Sequence, residues 1–247
     1  MSKFIDRTGE RYLNNQGCWL TIIVCRGAED CDVQFEDGVV VKNRRYGDIK
    51  RGKIKNLYYP TVYGIGYTGV GAHKSSFEGK DTKMYYTWNS MLQRSYSEEY
   101  YIKLPSYKGC SVDKNWHSFQ NFGHWYEKNY KEGWHLDKDI LVKGNKIYSP
   151  ETCCIVPAEI NTLFVKHNKN NRKYPVGVTR RYNKFIAQIS KNGITEEIDY
   201  FDTIEEAFHA YKTAKEAYIK EVADEWKPLV HPKVYTAMYK YEVEITD

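Results

Sequence analysis

The period of the apolar positions changes along the chain, and each change marks a different kind of element. Residues 9–67 read as β-structure: WLTIIVC at residues 19–25 is a β-branched run, and CDVQFEDGVVV at residues 31–41 alternates apolar with polar side chains. Asp37-Gly38 interrupts that alternation and predicts a hairpin turn, because the turn needs a residue at positive φ. Short strands joined by tight turns predict a small, strongly curved sheet or SH3-like barrel. From Met84 the period becomes helical. Tyr85, Trp88, Met91, Leu92 and Tyr96 fall on one face, and a second helix is predicted near His117 from Phe119, Phe122, Trp125 and Tyr126. SYKGCSVDKNW between them reads as a loop with a short strand. Residues 134–163 read as a strand, a turn at Lys143-Gly144-Asn145-Lys146, a second strand and a helix. Ser149-Pro150-Glu151 is the predicted helix start, with a Ser cap, Pro in the first position and Glu against the dipole.

Residues 173–226 predict three short strands and a helix. The helix opens on Thr203 with Glu206 three residues on, a capping box, and carries Ala207, Ala210, Tyr211 and Ala214 on one face. The fold class is therefore α+β. Its parts are a small β-barrel-like module at residues 1–72, an aromatic-rich helical module with a ββα segment at 84–170, and a three-stranded sheet plus helix at 173–226. A tail at 227–247 forms a further short helix or strand. The glycine-rich stretch Gly64-Ile65-Gly66-Tyr67-Thr68-Gly69-Val70-Gly71 lacks the following helix of a phosphate loop. It reads as a bent or flexible connection leading into an exposed linker, AHKSSFEGKDTK.

Composition changes this picture in one respect. Tyrosine supplies 23 residues, against 9 Phe and 6 Trp, so aromatic rings with a polar tip serve either as partly buried filler or as contacts to sugars and bases. The net charge of +5 is modest, but its placement is uneven. Lys42, Arg44, Arg45, Lys50, Arg51, Lys53 and Lys55 face only Asp48 within residues 42–55. Lys166, Lys169, Arg172, Lys173, Arg180, Arg181, Lys184 and Lys191 lie in an acid-free stretch at residues 165–195. Such blocks are footprints for a polyanion, or simply solvated faces. No apolar run suits a signal peptide or a membrane span, so a cytoplasmic protein without membrane contact is expected. Cys18, Cys25, Cys31, Cys110, Cys153 and Cys154 lack C-x-x-C spacing, and are expected to be reduced, mostly buried thiols with no structural zinc.

The predicted ββα shape at residues 134–163 is one in which a divalent metal can sit between a hairpin and a helix. Upstream lie Trp88, Met91 and Arg94, then Trp116-His117-x-Phe119-x-Asn121-Phe122, then Trp125 leading to Leu136-Asp137-Lys138-Asp139. Together these resemble the HNH (His-Me finger) endonucleases in the divergent form common in bacteriophages. The resemblance implies Asp137 and Asn161 as metal ligands, Asn145 as the residue that positions the catalytic base, and Mg²⁺ as the cofactor. One carboxylate and one amide suit a weakly held Mg²⁺ that takes further ligands from water and phosphate. The sequence departs from the family where the water-activating His is expected, which is Lys138. A solvated lysine is protonated at neutral pH and cannot take a proton from water, although it can face a phosphate as a point charge. His135 shares a strand face with Asp137 and is the alternative catalytic residue.

Downstream, Gly177-Val178, Tyr182-x-x-Phe185-x-Ala187-x-Ile189, the turn Lys191-Asn192-Gly193, and Phe201-Asp202-Thr203 with Glu205-Glu206-Ala207 and Ala210-Tyr211 are similar to AP2-like DNA-binding domains. That resemblance implies that the exposed sheet face enters the major groove with Arg180, Arg181, Tyr182, Lys184, Gln188 and Lys191. Arg44, Arg45, Lys50 and Arg51 are the candidate nucleic-acid contacts of the first basic block. Three functions follow as expectations. One is a phage-type DNA-binding protein whose nuclease site has decayed, favoured by Lys138. Another is an active Mg²⁺-dependent homing-type endonuclease, favoured by Asp137, Asn145 and Asn161. The last is an inhibitor that binds a host-defence protein. RNA in place of DNA stays open.

Overall fold

The β-branched run and the alternating stretch after it become the two long strands of an antiparallel sheet. The computed structural model describes residues 5–164 and 173–245, in two compact units, Met1–Glu127 and Lys128–Asp247. Its class is α+β, with several small sheets and seven α-helices among the described residues.

In the first unit, β1 (Arg11–Leu13), β2 (Trp19–Gly27), β3 (Asp30–Phe35) and β4 (Val40–Arg44) pair in chain order as an antiparallel meander. Gly38 turns β3 into β4 at φ 87°, and Asp37 Oδ1 accepts the Val39 N–H at 3.1 Å. The sheet is open, not a closed barrel, among the described residues. With three residues in β1 and five in β4, the outer strands are short. The apolar face is covered instead by Ile49 of α1 (Tyr46–Lys50) and by Ile54, which pack on Leu20, Ile22, Val33 and Phe35.

A small hairpin of β5 (Ser76–Phe77) and β6 (Lys80–Asp81) precedes α2 (Lys83–Tyr96), which Thr82 caps by accepting the Tyr85 N–H. Then come α3 (Glu98–Lys103), β7 (Ser111–Val112) and α4 (Phe119–Asn129). Trp88, Met91, Trp116, Phe119 and Phe122 are buried, so the upstream aromatics that carry the nuclease resemblance build the core of this unit. The glycine-rich stretch is part of that packing. Tyr67 N–H donates to His117 O at 3.0 Å and Tyr67 O accepts from Phe119 N–H at 2.9 Å. A Cβ on Gly66 would meet Leu92 Cδ1 at 2.4 Å and Trp88 Cζ2 at 2.8 Å. Gly66→Ala is therefore expected to destabilise this unit by about 1–3 kcal/mol, read as a lower thermal midpoint.

The second unit begins with β8 (Trp134–Asp137), followed by β9 (Ile147–Tyr148), β10 (Cys154–Pro157) and α5 (Ala158–Leu163). β8 and β10 pair antiparallel, with Asp137 opposite Cys154 and His135 opposite Val156. The helix predicted to start at Ser149-Pro150-Glu151 does not form there. Ser149 caps a single turn, its Oγ accepting the Glu151 and Thr152 N–H groups at 3.3 and 3.2 Å. The buried run Cys153-Cys154-Ile155-Val156 then enters the sheet, because an extended backbone lets consecutive side chains be buried on both faces. α5 starts later, with Pro157 as a cap that has no side-chain hydrogen bond.

β11 (Val178–Arg181), β12 (Lys184–Lys191) and β13 (Ile194–Phe201) form a three-stranded antiparallel sheet covered by the 23-residue α6 (Ile204–Trp226). Thr203 and Glu206 make the reciprocal capping box. The first half of α6 packs Ala207 and Tyr211 on Val178 and Ala187. Its second half packs Ile219, Val222 and Ala223 in one cluster with Val156 of β10, Ile160 of α5 and Ile189 of β12. α7 (Pro232–Tyr239) closes that cluster with Val234 and Met238. The ββα segment, the sheet and the tail thus share a core. Among the described residues, no helix is long and apolar enough to cross a membrane.

Candidate functional site

The loop after β8 gathers most of the residues of the nuclease resemblance. Asp137 closes the strand with its own carboxylate: Oδ1 accepts the Asp139 and Ile140 N–H groups at 2.7 and 2.8 Å. Burial is the main influence on its acidity and raises its pKa, ahead of the two backbone hydrogen bonds that act the other way. Lys138 follows the strand and is 7% exposed. Its Nζ donates to Asp139 Oδ2 at 2.6 Å and to Asn145 O at 2.9 Å. Asn145 ties the loop in return, donating through Nδ2 to Lys138 O at 2.8 Å and to Ile147 O at 2.6 Å. Its Oδ1 accepts the Ile147 N–H at 3.0 Å. Lys138, Asp139 and Asn145 are therefore one interlocked group, and Asp139, which the sequence pattern contained without a role, is the partner of Lys138.

His135 and Asn161 stand outside this network. His135 is exposed on β8, and Asn161 lies half-buried on α5, where its side chain makes no hydrogen bond among the described residues. No group of three or more His, Cys, Asp or Glu side chains among the described residues is placed to hold a metal. The donor chemistry fits Mg²⁺ poorly. Asp137 is desolvated and committed through Oδ1 to the turn, and a basic side chain, Lys138, is buried beside it in the loop. The neighbouring thiols offer no nucleophile, since burial pushes Cys153 up to about 12 and Cys154 higher still.

The raised pKa of Asp137 has a consequence for stability. A carboxyl whose folded-state pKa lies above its unfolded value stabilises the fold fully below the unfolded pKa, and that contribution disappears as pH rises through the folded pKa. Asp137→Asn keeps the Oδ1 acceptor and removes the titration. The variant is expected to exceed the parent in denaturant midpoint at neutral pH, with the difference shrinking to nothing below the carboxylate range.

The second basic block divides by strand register. Val178 pairs with Ala187 and Arg180 with Phe185, so Arg180 follows the row that faces α6, whereas Arg181 and Lys184 lie on the opposite face, with Ile186 buried beside them. Both of these cations are already matched: Arg181 pairs with Glu197 at 2.8 Å, and Lys184 with Asp202. β13 is exposed along nearly its whole length and carries Glu196, Glu197 and Asp199, so it opposes a phosphate backbone. Gln188 is half-buried, and the Lys191 Nζ lies 5.2 Å from the Tyr218 ring. The expected reading face is thus largely neutralised. What projects is the β11–β12 turn, where Tyr182 and Asn183 adopt φ 50° and 66° and Tyr182 is 90% exposed. Lys166, Lys169 and Arg172 lie outside the described residues.

In the first basic block, Arg45 pairs with Glu29 and Arg51 with Asp48, while Arg44 and Lys50 are exposed. Asp48 is visible in the local count, but the Arg45 pair is not, because Glu29 comes from the turn between β2 and β3. Comparison of the chain with known protein families, curated proteins and solved structures finds no match.

Proposed function

We propose that the chain is a phage-type nucleic-acid-binding protein derived from an HNH endonuclease, with DNA as its partner and without cleavage activity. The loss of cleavage rests on Lys138. At the position where the resemblance expects a base that takes a proton from water, this side chain is buried, salt-bridged to Asp139 and bound to the Asn145 carbonyl. It is built into the loop as a strut and does not face solvent.

Binding through the C-terminal, AP2-like sheet rests on the β11–β12 turn. A large aromatic ring held out at left-handed φ between Arg180-Arg181 and Lys184 gains nothing from its own core and is placed to meet a ligand. The turn, more than the acidic strand β13, makes the contact in this reading. A labelled duplex is expected to bind the full chain, and Arg180→Ala combined with Tyr182→Ala to weaken it about tenfold or more, at roughly 1–3 kcal/mol per contact. Unchanged affinity in that variant overturns the assignment. Supercoiled DNA with Mg²⁺ or Mn²⁺ is expected to stay intact. Cleavage that disappears in Asp137→Ala would instead establish the active endonuclease, and absence of both binding and cleavage would point to a host protein as partner.

A further inference from the structure

The N-terminal unit carries a surface that the proposed C-terminal contact does not use. β4 and the segment at residues 53–57 border a cavity of about 520 Å³. Lys42, Arg44, Lys53 and Lys55 line it, with Leu57 and Tyr58 among its apolar wall. Lys53 and Lys55 reach it because they alternate with buried Gly52, Ile54 and Asn56. A second cavity of about 720 Å³ shares Lys55, Leu57 and Val70 with the first and adds His73 and Lys74. The two form one continuous groove, and no Asp or Glu lines either part.

The basic residues sort by partner. Arg45 and Arg51 are held by Glu29 and Asp48, whereas Lys42, Arg44, Lys53 and Lys55 form no salt bridge among the described residues. Between these cations the wall is apolar and accessible: Leu57 is 40%, Tyr58 44% and Val70 68% exposed. Like charges gathered on one groove repel one another, and its apolar side chains leave much of their surface in water, although Tyr58 also meets the Tyr67 ring at 6.0 Å. An occupant with both anionic and flat apolar parts satisfies both features.

We infer that this groove binds single-stranded nucleic acid, with phosphates against Lys42, Arg44, Lys53 and Lys55 and bases against Tyr58, Leu57 and Val70. A duplex presents phosphates while keeping its bases stacked, and would leave the apolar wall uncovered. A single strand offers both. The inference stands apart from the C-terminal reading, since groove and β11–β12 turn belong to different units.

The test uses the full chain and fluorescein-labelled oligothymidylate and oligouridylate of about 12 nucleotides, a length within single-strand site sizes. Lys42→Glu, Arg44→Glu, Lys53→Glu and Lys55→Glu together are expected to lower affinity at least about 100-fold, since each lost phosphate contact also loses its counterion release. These side chains are exposed, but a milder variant guards against misfolding. Lys53→Gln with Lys55→Gln is expected to reduce the slope of log affinity against log salt by about 1.4. Tyr58→Ala is expected to weaken binding about 5-fold or more. The fold-loss caused by the groove substitutions should be the same in a background of Arg180→Ala with Tyr182→Ala, which separates this site from the C-terminal one. Unchanged affinity and salt slope in the groove variants overturn the inference. So does equal competition by polyglutamate, or tighter groove-dependent binding of duplex than of either single strand.

Discussion

Gly177→Ala lowers the stability of the second unit by about 2–5 kcal/mol, the sum of about 1–2 for left-handed backbone and 1–3 for overpacking. Gly177 sits at φ 73° just before β11, and its carbonyl accepts the Gln188 N–H at 2.8 Å. A Cβ there would lie 2.1 Å from Tyr211 Cδ2 and 2.2 Å from Cγ. Tyr211 is a buried ring packed with Val178, Ala187 and Ala207, so displacing it disrupts that cluster. Gly193, at φ 78° with nothing near its Cβ position, is the internal control. Gly193→Ala should cost only the backbone part, about 1–2 kcal/mol. Urea unfolding of both variants measures the difference. If the two lose equal stability, Tyr211 does not seat against Gly177 as described.

Trp88→Ala is expected to cost the first unit about 3–5 kcal/mol. Trp88 is fully buried on α2, 5.5 Å from the Phe119 ring and 5.6 Å from Tyr85 between centroids, so its removal leaves a large void. It also leaves the Trp116 carbonyl without the indole N–H that donates to it at 2.7 Å. Trp88→Phe retains most of the ring packing and loses only that hydrogen bond, so it should fall well short of the alanine variant. Thermal or denaturant unfolding followed by tryptophan fluorescence distinguishes the two. Equal losses would mean that the hydrogen bond, not the ring, dominates. The same experiment bears on the groove, because Gly66 packs its backbone directly on Trp88. A collapsed Trp88 site should therefore disturb the segment that leads to Val70.

The candidate loop was legible in part. Asp137, Lys138 and Asn145 could be picked from the run of residue types, and the structure places all three in one loop. Their use could not be read. Asp139 as the partner of Lys138, and the commitment of Asp137 Oδ1 to two backbone N–H groups, depend on how the loop turns after β8. His135 and Asn161 stay outside the network because strand alternation fixes only the face on which a side chain lies. It does not fix what the opposing element brings to it. For the basic blocks, local composition located the charge but not its balance. Glu197 and Asp202 lie just beyond the acid-free stretch and return to Arg181 and Lys184 across the hairpin.

The sequence by itself determined what depends on neighbours a few residues away. The strand period of residues 19–41, the Asp37-Gly38 turn, the aromatic faces of α2 and α4, and the Thr203–Glu206 capping box belong to this class. Tertiary structure alone decided the features that pair residues far apart in the chain. The Ser149 helix signal yielded to a buried strand because Cys154 and Val156 found β8 and the core of α6. Open sheet edges replaced a barrel because Ile49 and Ile54 supplied the missing cover. Cations became matched or unmatched according to which carboxylate the fold brought into contact: Glu29 with Arg45 and Glu197 with Arg181, while Lys42, Arg44, Lys53 and Lys55 form no salt bridge among the described residues and only Lys42 and Lys53 feel a carboxylate at longer range, Asp32 and Asp48. Local propensity acts over a turn or two, whereas burial and ion pairing act through space, and their partners are chosen only when the chain has folded.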